Sequence, residues 1–300
     1  MKVIYITGWL RSGSTILGNV LNELPGVLHA GELHYLWKNG LLDSGTNSLC
    51  GCGEQIRQCT LWSSVIATFG NAEPTKLARQ MMSSQQAGLR TRHTRARLAS
   101  TPPHVTQVLD RTVAVYRELA RRGAERAVVD SSKYPAEAAA LLRRSDVDVR
   151  VLHIVRDPRA TTYSYQRGKR YIEPMSPAQS TANWVGFNVA SEYVGRAAAG
   201  RYLRIRHEDL TRQPREVLAD VLRFAGLDDE PPVTEEGKVT LGTNHTVTGN
   251  PDRLGQGTVL IRPDDRWRTE LPALPTATTT ALALPLLRRY GYPTLARKVA

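Results

Sequence analysis

The sequence predicts an α/β fold with a central parallel sheet flanked by helices. Short apolar runs that break into loops alternate with helix-like segments along much of the 300 residues. That alternation implies parallel strands joined by right-handed crossover helices. The first run, Lys2 to Thr7, breaks into Gly8-Trp9-Leu10-Arg11-Ser12-Gly13-Ser14-Thr15 and then into helix-like sequence. This is the order of a strand, a phosphate-cradling turn and a helix N-terminus. At 41% hydrophobic residues the chain has enough apolar side chain to build a substantial core.

The opening turn carries the first chemical expectation. A helix start offers unpaired backbone N–H groups and the positive end of its dipole to an anion. Gly13 lets the backbone approach that anion closely, and the Ser14 and Thr15 hydroxyls add donors. The spacing Gly8-x4-Gly13 is P-loop-like, but Ser14 stands where a nucleotide-triphosphatase turn has lysine, and the nearby cation is Arg11, inside the turn. Such a turn suits a diester or phosphosulfate oxyanion better than Mg²⁺-bound β,γ-phosphates.

Three further strand-like runs follow. Ala127 to Asp130 leads into Ser131-Ser132-Lys133-Tyr134-Pro135 and an alanine-rich helix over 136–144. Val149 to Val155 leads into Arg156-Asp157-Pro158-Arg159, and Tyr202 to Arg206 leads through His207-Glu208-Asp209 into a helix whose apolar stripe ends at Gly226. Pro135 and Pro158 suit first helical turns, where a missing N–H costs nothing. Ligands of such sheets bind at the carboxyl ends of the strands, so the loops at 8–15, 131–133 and 156–164 are expected to converge on one cleft. His153, amid Val151, Leu152, Ile154 and Val155, reads as a satisfied core histidine.

The 300 residues read as a single domain with a basic helical insertion over 73–126, broken at Thr101-Pro102-Pro103. The Gly-, Asn- and Thr-rich segment 237–268 reads as a long cofactor or substrate loop, and it and the helical insertion 73–126 are expected to form the acceptor pocket. Leu271 to Leu287 is interrupted by Pro272, Pro275 and Pro285 and reads as a packed helix, not a membrane span. With no signal-peptide pattern at its start, the chain is expected to be cytoplasmic. The 40 basic against 28 acidic residues give +12, which favours an anionic partner. Nucleic acid is disfavoured as that partner, because aromatic residues are 6% and no recognition motif is present.

Arg156 is followed eight residues later by Ser164, about two turns into the next helix, a spacing that lets a guanidinium fork and a hydroxyl meet one phosphate. With Arg11-Ser12-Gly13-Ser14-Thr15, this constellation resembles the sulfotransferases that use 3′-phosphoadenosine-5′-phosphosulfate (PAPS), in the form seen in tyrosylprotein and many bacterial members. Arg206-His207-Glu208-Asp209-Leu210 resembles another landmark of that family, and weaker echoes lie at Gly249–Arg253 and Asp264–Arg268. The resemblance runs from residue 1 to about 30 and from 127 to 230; residues 45–126 fall outside it.

The resemblance implies transfer of a sulfuryl group from PAPS to a hydroxyl, releasing adenosine 3′,5′-bisphosphate, with no metal required. It places Arg11, Ser12, Gly13, Ser14 and Thr15 at the 5′-phosphosulfate and Arg156 and Ser164 at the 3′-phosphate. It implies Glu32 as general base, with His34 as rival because cytosolic members use histidine. Arg11 and Lys133 are expected to stabilise charge in the transition state. A cation at a helix start, such as Lys133, is disfavoured by the helix dipole and so points to an anion nearby. Arg253, and Trp267 with Arg268, are expected to close over the cofactor. The acceptor is expected to be a small molecule, glycolipid or carbohydrate of bacterial secondary metabolism. A P-loop-type small-molecule kinase and a non-catalytic polyanion-binding protein are the alternatives, and oligomeric state is left open.

Cys50, Cys52 and Cys59 cluster within ten residues. Zinc, a disulfide and free thiols are all compatible with that spacing. A structural zinc site needs a fourth ligand, for which His29 and His34 are nearest in sequence.

Overall fold

The computed structural model describes residues 1–44, 47–70, 73–167 and 173–294. Its strands are β1 (Lys2–Thr7), β2 (Val27–Gly31), β3 (Ala127–Lys133), β4 (Asp148–Val155), β5 (Tyr202–Arg206), β6 (Lys238–Leu241) and β7 (Gly257–Leu260). Its α-helices are α1 (Ser14–Leu21), α2 (Thr60–Ala67), α3 (Pro74–Gly88), α4 (Thr94–Ala99), α5 (Pro103–Arg121) and α6 (Pro135–Leu142), then α7 (Pro158–Gln166), α8 (Pro177–Ala197), α9 (His207–Arg212), α10 (Pro214–Ala225), α11 (Trp267–Glu270) and α12 (Ala273–Arg289).

Five strands form one parallel sheet in the order β2-β3-β1-β4-β5. Successive side chains of a strand face opposite sides, and here both sides are covered. Val3 and Tyr5 join Val128, Val149 and Val151 in a core closed by α5 and α6. Ile4 and Ile6 join Val129, Leu152 and Ile154 in a second core closed by α1 and α10. Burial on both faces is why these strands read as unbroken apolar runs. From β1 the chain moves to one side of the sheet and from β4 to the other, so the crevice between these neighbours is the topological switch point, where ligands of such sheets bind.

The structure departs from the sequence expectations in four places. Strand β2 was not anticipated; it is five residues long, and it puts Glu32 at the carboxyl end of a sheet strand instead of merely after α1. Strand β3 continues through Ser131, Ser132 and Lys133, which the polar sequence suggests as loop. The Asp130 carboxylate accepts from the Ser132 amide at 2.8 Å and the Tyr116 hydroxyl at 2.6 Å, which satisfies polar groups inside the sheet. Segment 237–268 contains an antiparallel hairpin, β6–β7. Pro285, which the sequence suggests as an interruption, lies inside α12 within about one turn of its last residue, Arg289. The helical reading of 73–126 matches α3, α4 and α5, with α5 starting at Pro103. Among the described residues no helix is long and apolar enough to cross a membrane.

Candidate active site

At the end of β1 the backbone turns through residues 8–13 and enters α1 with Gly13 as N-cap, which makes no side-chain capping bond. The first amides of α1 are therefore available to an external anion. Gly13 has φ +87°, and a Cβ there would fall far inside van der Waals contact of the His207 ring, so both backbone conformation and space demand glycine. Ser12 is buried and donates to the Trp9 carbonyl at 2.8 Å, so its hydroxyl shapes the turn. Arg11 Nε donates to Ser164 Oγ at 2.9 Å, and Arg156 Nη1 donates to the Arg11 carbonyl at 3.0 Å.

Arg156 and Ser164 thus flank Arg11, one at the end of β4 and the other in α7. The Trp184 indole holds the Arg156 carbonyl at 2.9 Å, and burial lowers the proton affinity of its guanidinium. The carboxylate of Glu208 accepts from the Asp157 amide at 2.9 Å and the Tyr292 hydroxyl at 2.8 Å, which fixes the turn from β4 into α7. Burial raises the Glu208 carboxyl above its usual range. Asp157 caps α7 by accepting from the Arg159 amide at 2.9 Å.

Across the same cleft the Glu32 carboxylate and the Lys133 ammonium form a buried ion pair, and Lys133 also donates to the Ser131 carbonyl at 3.0 Å. Gly31, at φ +80°, lets Val247 pack directly on the backbone before Glu32. The Glu32 amide donates to the Val247 carbonyl at 2.7 Å, and the Val247 amide donates to the Ala30 carbonyl at 2.9 Å. Arg11, Lys133 and Thr248 all have positive φ (68°, 74° and 53°) and all line the cleft. Left-handed backbone at non-glycine residues costs on the order of 1–3 kcal/mol each and clusters at functional sites.

The resulting cleft encloses about 1260 Å³. Its described lining holds seven basic side chains (Arg11, Lys38, Lys133, Arg156, Arg167, Arg262 and Arg266) against four acidic ones (Glu32, Glu173, Asp252 and Asp264), a balance suited to an anionic ligand. Asp264 is held down to about 2 by Arg266, with Arg156 contributing. The structure brings together Arg11, Gly13, Ser14, Thr15, Glu32, Lys133, Arg156 and Ser164 around this space.

Five expected site residues, Ser12, His34, Arg253, Trp267 and Arg268, are not among its described lining. His34 turns away: its Nδ1 lies 2.7 Å from the Glu137 carboxylate and its ring stacks on Tyr134. Ser12 faces its own turn. Arg253 is buried, donating from Nη2 to the Leu49 carbonyl at 2.7 Å, while its Nε and Nη1 have no partner among the described residues. Trp267 packs with Ala160, Tyr163 and Leu271, between the guanidinium groups of Arg159 and Arg268 at 4.8 and 4.9 Å. The helical segment 73–126 supplies none of the described lining; α3 packs behind the turn Leu36–Leu41.

His207, Asp264 and Thr248 also line the cleft; the first two entered the sequence reading only within family landmarks, with no role assigned, and Thr248 did not enter it. Burial lowers His207 to about 3, with Arg156 acting in the same direction. The buried His207 Nδ1 beside Gly13 has no partner among the described residues, which leaves an acceptor or donor for a ligand at the turn. His207 follows β5, so the strand-end rule and the landmark at 206–210 both pointed to it; nothing local in the sequence pointed to Thr248.

His153 is the expected core histidine, with Nδ1 2.6 Å from the Tyr202 hydroxyl and Nε2 2.7 Å from Asn188 Oδ1. The three cysteines converge with His245, not with His29 or His34. His29 is occupied elsewhere, its ring nitrogens 3.1 Å from Asn19 Oδ1 and 3.0 Å from Ser131 Oγ.

Comparison with known proteins bears on the family and the fold. The sequence model described as the Sulfotransferase family matches residues 4–231. Human carbohydrate sulfotransferase 3 is 25% identical over 173 residues, covering 51% of this chain and 35% of that protein. The chain therefore matches about a third of the length of this curated relative. The sulfotransferase domain of the Synechococcus PCC 7002 olefin synthase is 25% identical, with TM-score 0.53, over 98% of this chain and 95% of that one. The sulfotransferase domain of the curacin biosynthetic pathway, 19% identical with TM-score 0.55 over 97% and 98%, shares the fold.

Proposed function

The chain belongs to the sulfotransferase family, and from that premise we propose that it transfers a sulfuryl group from PAPS to an acceptor hydroxyl. The observation that carries this reading is the meeting of four strand ends, those of β1, β2, β3 and β4, in one cleft. The open start of α1, the Arg11–Ser164–Arg156 cluster and the Glu32–Lys133 pair all face the same space. When bound, PAPS supplies an electrophilic sulfur and a stable leaving group, adenosine 3′,5′-bisphosphate.

In this reading the α1 amides with Ser14 and Thr15 hold the 5′-phosphosulfate, while Arg156 and Ser164 hold the 3′-phosphate. Arg11 bridges the two by its bond to Ser164. A Glu32 carboxylate oxygen takes the proton of the acceptor hydroxyl. Lys133, held at the cleft wall by Glu32 and Ser131, supplies positive charge where negative charge grows on the leaving group. Glu32 is favoured over His34 because Glu32 lines the cleft and His34 does not. The orphaned His207 Nδ1 beside Gly13 fits an anion-holding turn.

The acceptor side of the cleft carries Tyr35, Lys38, Tyr165 and Met175, a mixed lining that suits a small molecule, glycolipid or carbohydrate. The olefin synthase and curacin domains, together with the human carbohydrate enzyme, keep both acceptor classes in view; we favour a small molecule of bacterial secondary metabolism. Segment 237–268 contributes Thr248, Asp252 and Asp264 to the cleft and is proposed to shape the cofactor and acceptor sites.

Replacing Glu32 by Gln tests the base. Turnover with PAPS should fall about 10²- to 10⁴-fold, while affinity for adenosine 3′,5′-bisphosphate stays within about threefold by calorimetry. Turnover equal to that of the unsubstituted enzyme would remove Glu32 from the reaction.

A further inference from the structure

We propose that Cys50, Cys52, Cys59 and His245 form a structural zinc site that pins the strand-like strap of residues 245–249 beneath Glu32. The four ligand atoms lie within 4.8 Å of one another. Cys50 Sγ and Cys59 Sγ are 3.5 Å apart, and His245 Nδ1 is 3.2 Å from Cys59 Sγ and 3.8 Å from Cys50 Sγ. A tetrahedral zinc with Zn–S near 2.3 Å and Zn–N near 2.0 Å requires edges of about 3.8 Å between sulfurs and about 3.5 Å between sulfur and nitrogen. The two sulfur–nitrogen distances bracket the required edge, and the Cys50–Cys59 sulfur distance is about 0.3 Å shorter than the metal-bound value.

Local backbone explains how the ligands come together. The Cys50 amide donates to the Glu54 carbonyl at 2.7 Å and the Gly53 amide donates to the Cys50 carbonyl at 2.9 Å, a tight turn that presents two thiols from one side. Cys59 occupies the N-cap of α2. The Trp62 indole donates to the His245 carbonyl at 2.5 Å, and the Gly51 amide donates to the Thr246 carbonyl at 3.0 Å, which brings the distant histidine to the thiols. Cys50 and Cys59 are fully buried and Cys52 partly so. A set of three thiolates and one imidazole selects zinc over magnesium or calcium. Four protein ligands and no open position mark a structural site, not a catalytic one.

A Cys50–Cys59 disulfide would use two of the four groups and leave Cys52 and His245 beside it with no role. A divalent cation uses all four: each thiol releases its proton to solvent and its sulfur donates a lone pair to the metal.

The placement gives the site a consequence. Residue 245 is tied to the metal, Val247 pairs with Gly31 and Glu32, and Thr248 and Gly249 reach the cleft wall. Asn39 Nδ2 donates to Thr248 Oγ1 at 2.8 Å, securing the far end of the strap. One metal therefore joins a segment near residue 50 to a segment near residue 245, directly behind the carboxylate of Glu32. This inference stands independently of the proposed sulfuryl transfer.

The test is metal analysis of the full chain, freed of any histidine tag, by elemental mass spectrometry. About one zinc per chain is expected. Cobalt substitution should give thiolate-to-cobalt charge-transfer absorption and the intense d–d bands of a tetrahedral site. Cys52→Ser, at the least buried cysteine, and His245→Ala should each retain less than about a fifth of the zinc, with Tm lower by roughly 10 °C. Chelation of the unsubstituted protein should reproduce that shift without any substitution. No stoichiometric metal, with either three reactive thiols or a mass two hydrogens lighter from a Cys50–Cys59 disulfide, would overturn the proposal. Undiminished zinc in both variants would do the same.

Discussion

Acidification should destabilise this fold through its enclosed histidines. His29 and His153 are buried within the sheet and its flanking helices, and burial lowers each from 6.5 to about 3. Both stay neutral in the folded state while the unfolded chain takes up protons below pH 6.5. Their contribution is therefore fully present above the unfolded pKa and is lost progressively as pH falls toward 3. At pH 5.5 each costs about 1.4 kcal/mol relative to neutral pH, about 3 kcal/mol together. His207 is lowered to about 3 as well, and because it lines the cleft with part of its ring exposed, it adds less in the same direction.

Asp130 works against this trend. Burial, with Glu137, raises it from 3.8 to about 6, so the folded state gains a proton there first and recovers about 0.8 kcal/mol at pH 5.5. Glu208, raised by burial, acts in the same sense. The histidines win, leaving a net loss of about 2 kcal/mol, or roughly 4 °C in Tm. Urea unfolding followed by tryptophan fluorescence at pH 7.5 and 5.5, at constant ionic strength, measures it. His153→Gln should remove about 1.4 kcal/mol of the pH dependence. Stability that is flat or higher at pH 5.5, or a pH dependence unchanged in His153→Gln, would refute the reasoning.

Two further outcomes follow from the cleft. Gly13→Ala must place a Cβ against His207 at φ +87°, a backbone cost of about 1–2 kcal/mol before the clash is counted; calorimetry should show adenosine 3′,5′-bisphosphate binding weakened at least about tenfold. Lys133→Ala strips the partner from a Glu32 side chain that is only 10% exposed, so urea unfolding should show a loss of about 3 kcal/mol or more. Adding Glu32→Gln to that variant should recover part of the loss, since no unpaired charge then remains; a double variant as unstable as the single one would count against the ion pair.

The legible parts of the fold were those whose signal is local. Strands β1 and β4 announce themselves because burial on two faces demands a run of apolar residues, β5 by its short run before the His207-Glu208-Asp209 loop, and Pro135 and Pro158 mark helix starts by their missing N–H. Strand β2 is short and ends at Gly31, and the tail of β3 is polar; both exist through pairing that no local pattern records. The site followed the same division. Arg11, Lys133 and Arg156 sit at strand ends, where topology brings ligand-binding groups together. His34 lies two residues beyond Glu32 in a turn with three residues per rotation, so the two side chains face different ways. Thr248 and His245 arrive from a distant strap held by backbone pairing to Gly31, which only the folded chain reveals.

The most direct test of the central claim is calorimetric titration with adenosine 3′,5′-bisphosphate beside AMP and ADP, without metal. Micromolar binding that depends on the 3′-phosphate and disappears in Arg156→Ala is the predicted result. Equal binding of all three nucleotides, or binding of none, would contradict it and return the cleft to a kinase or polyanion-binding role.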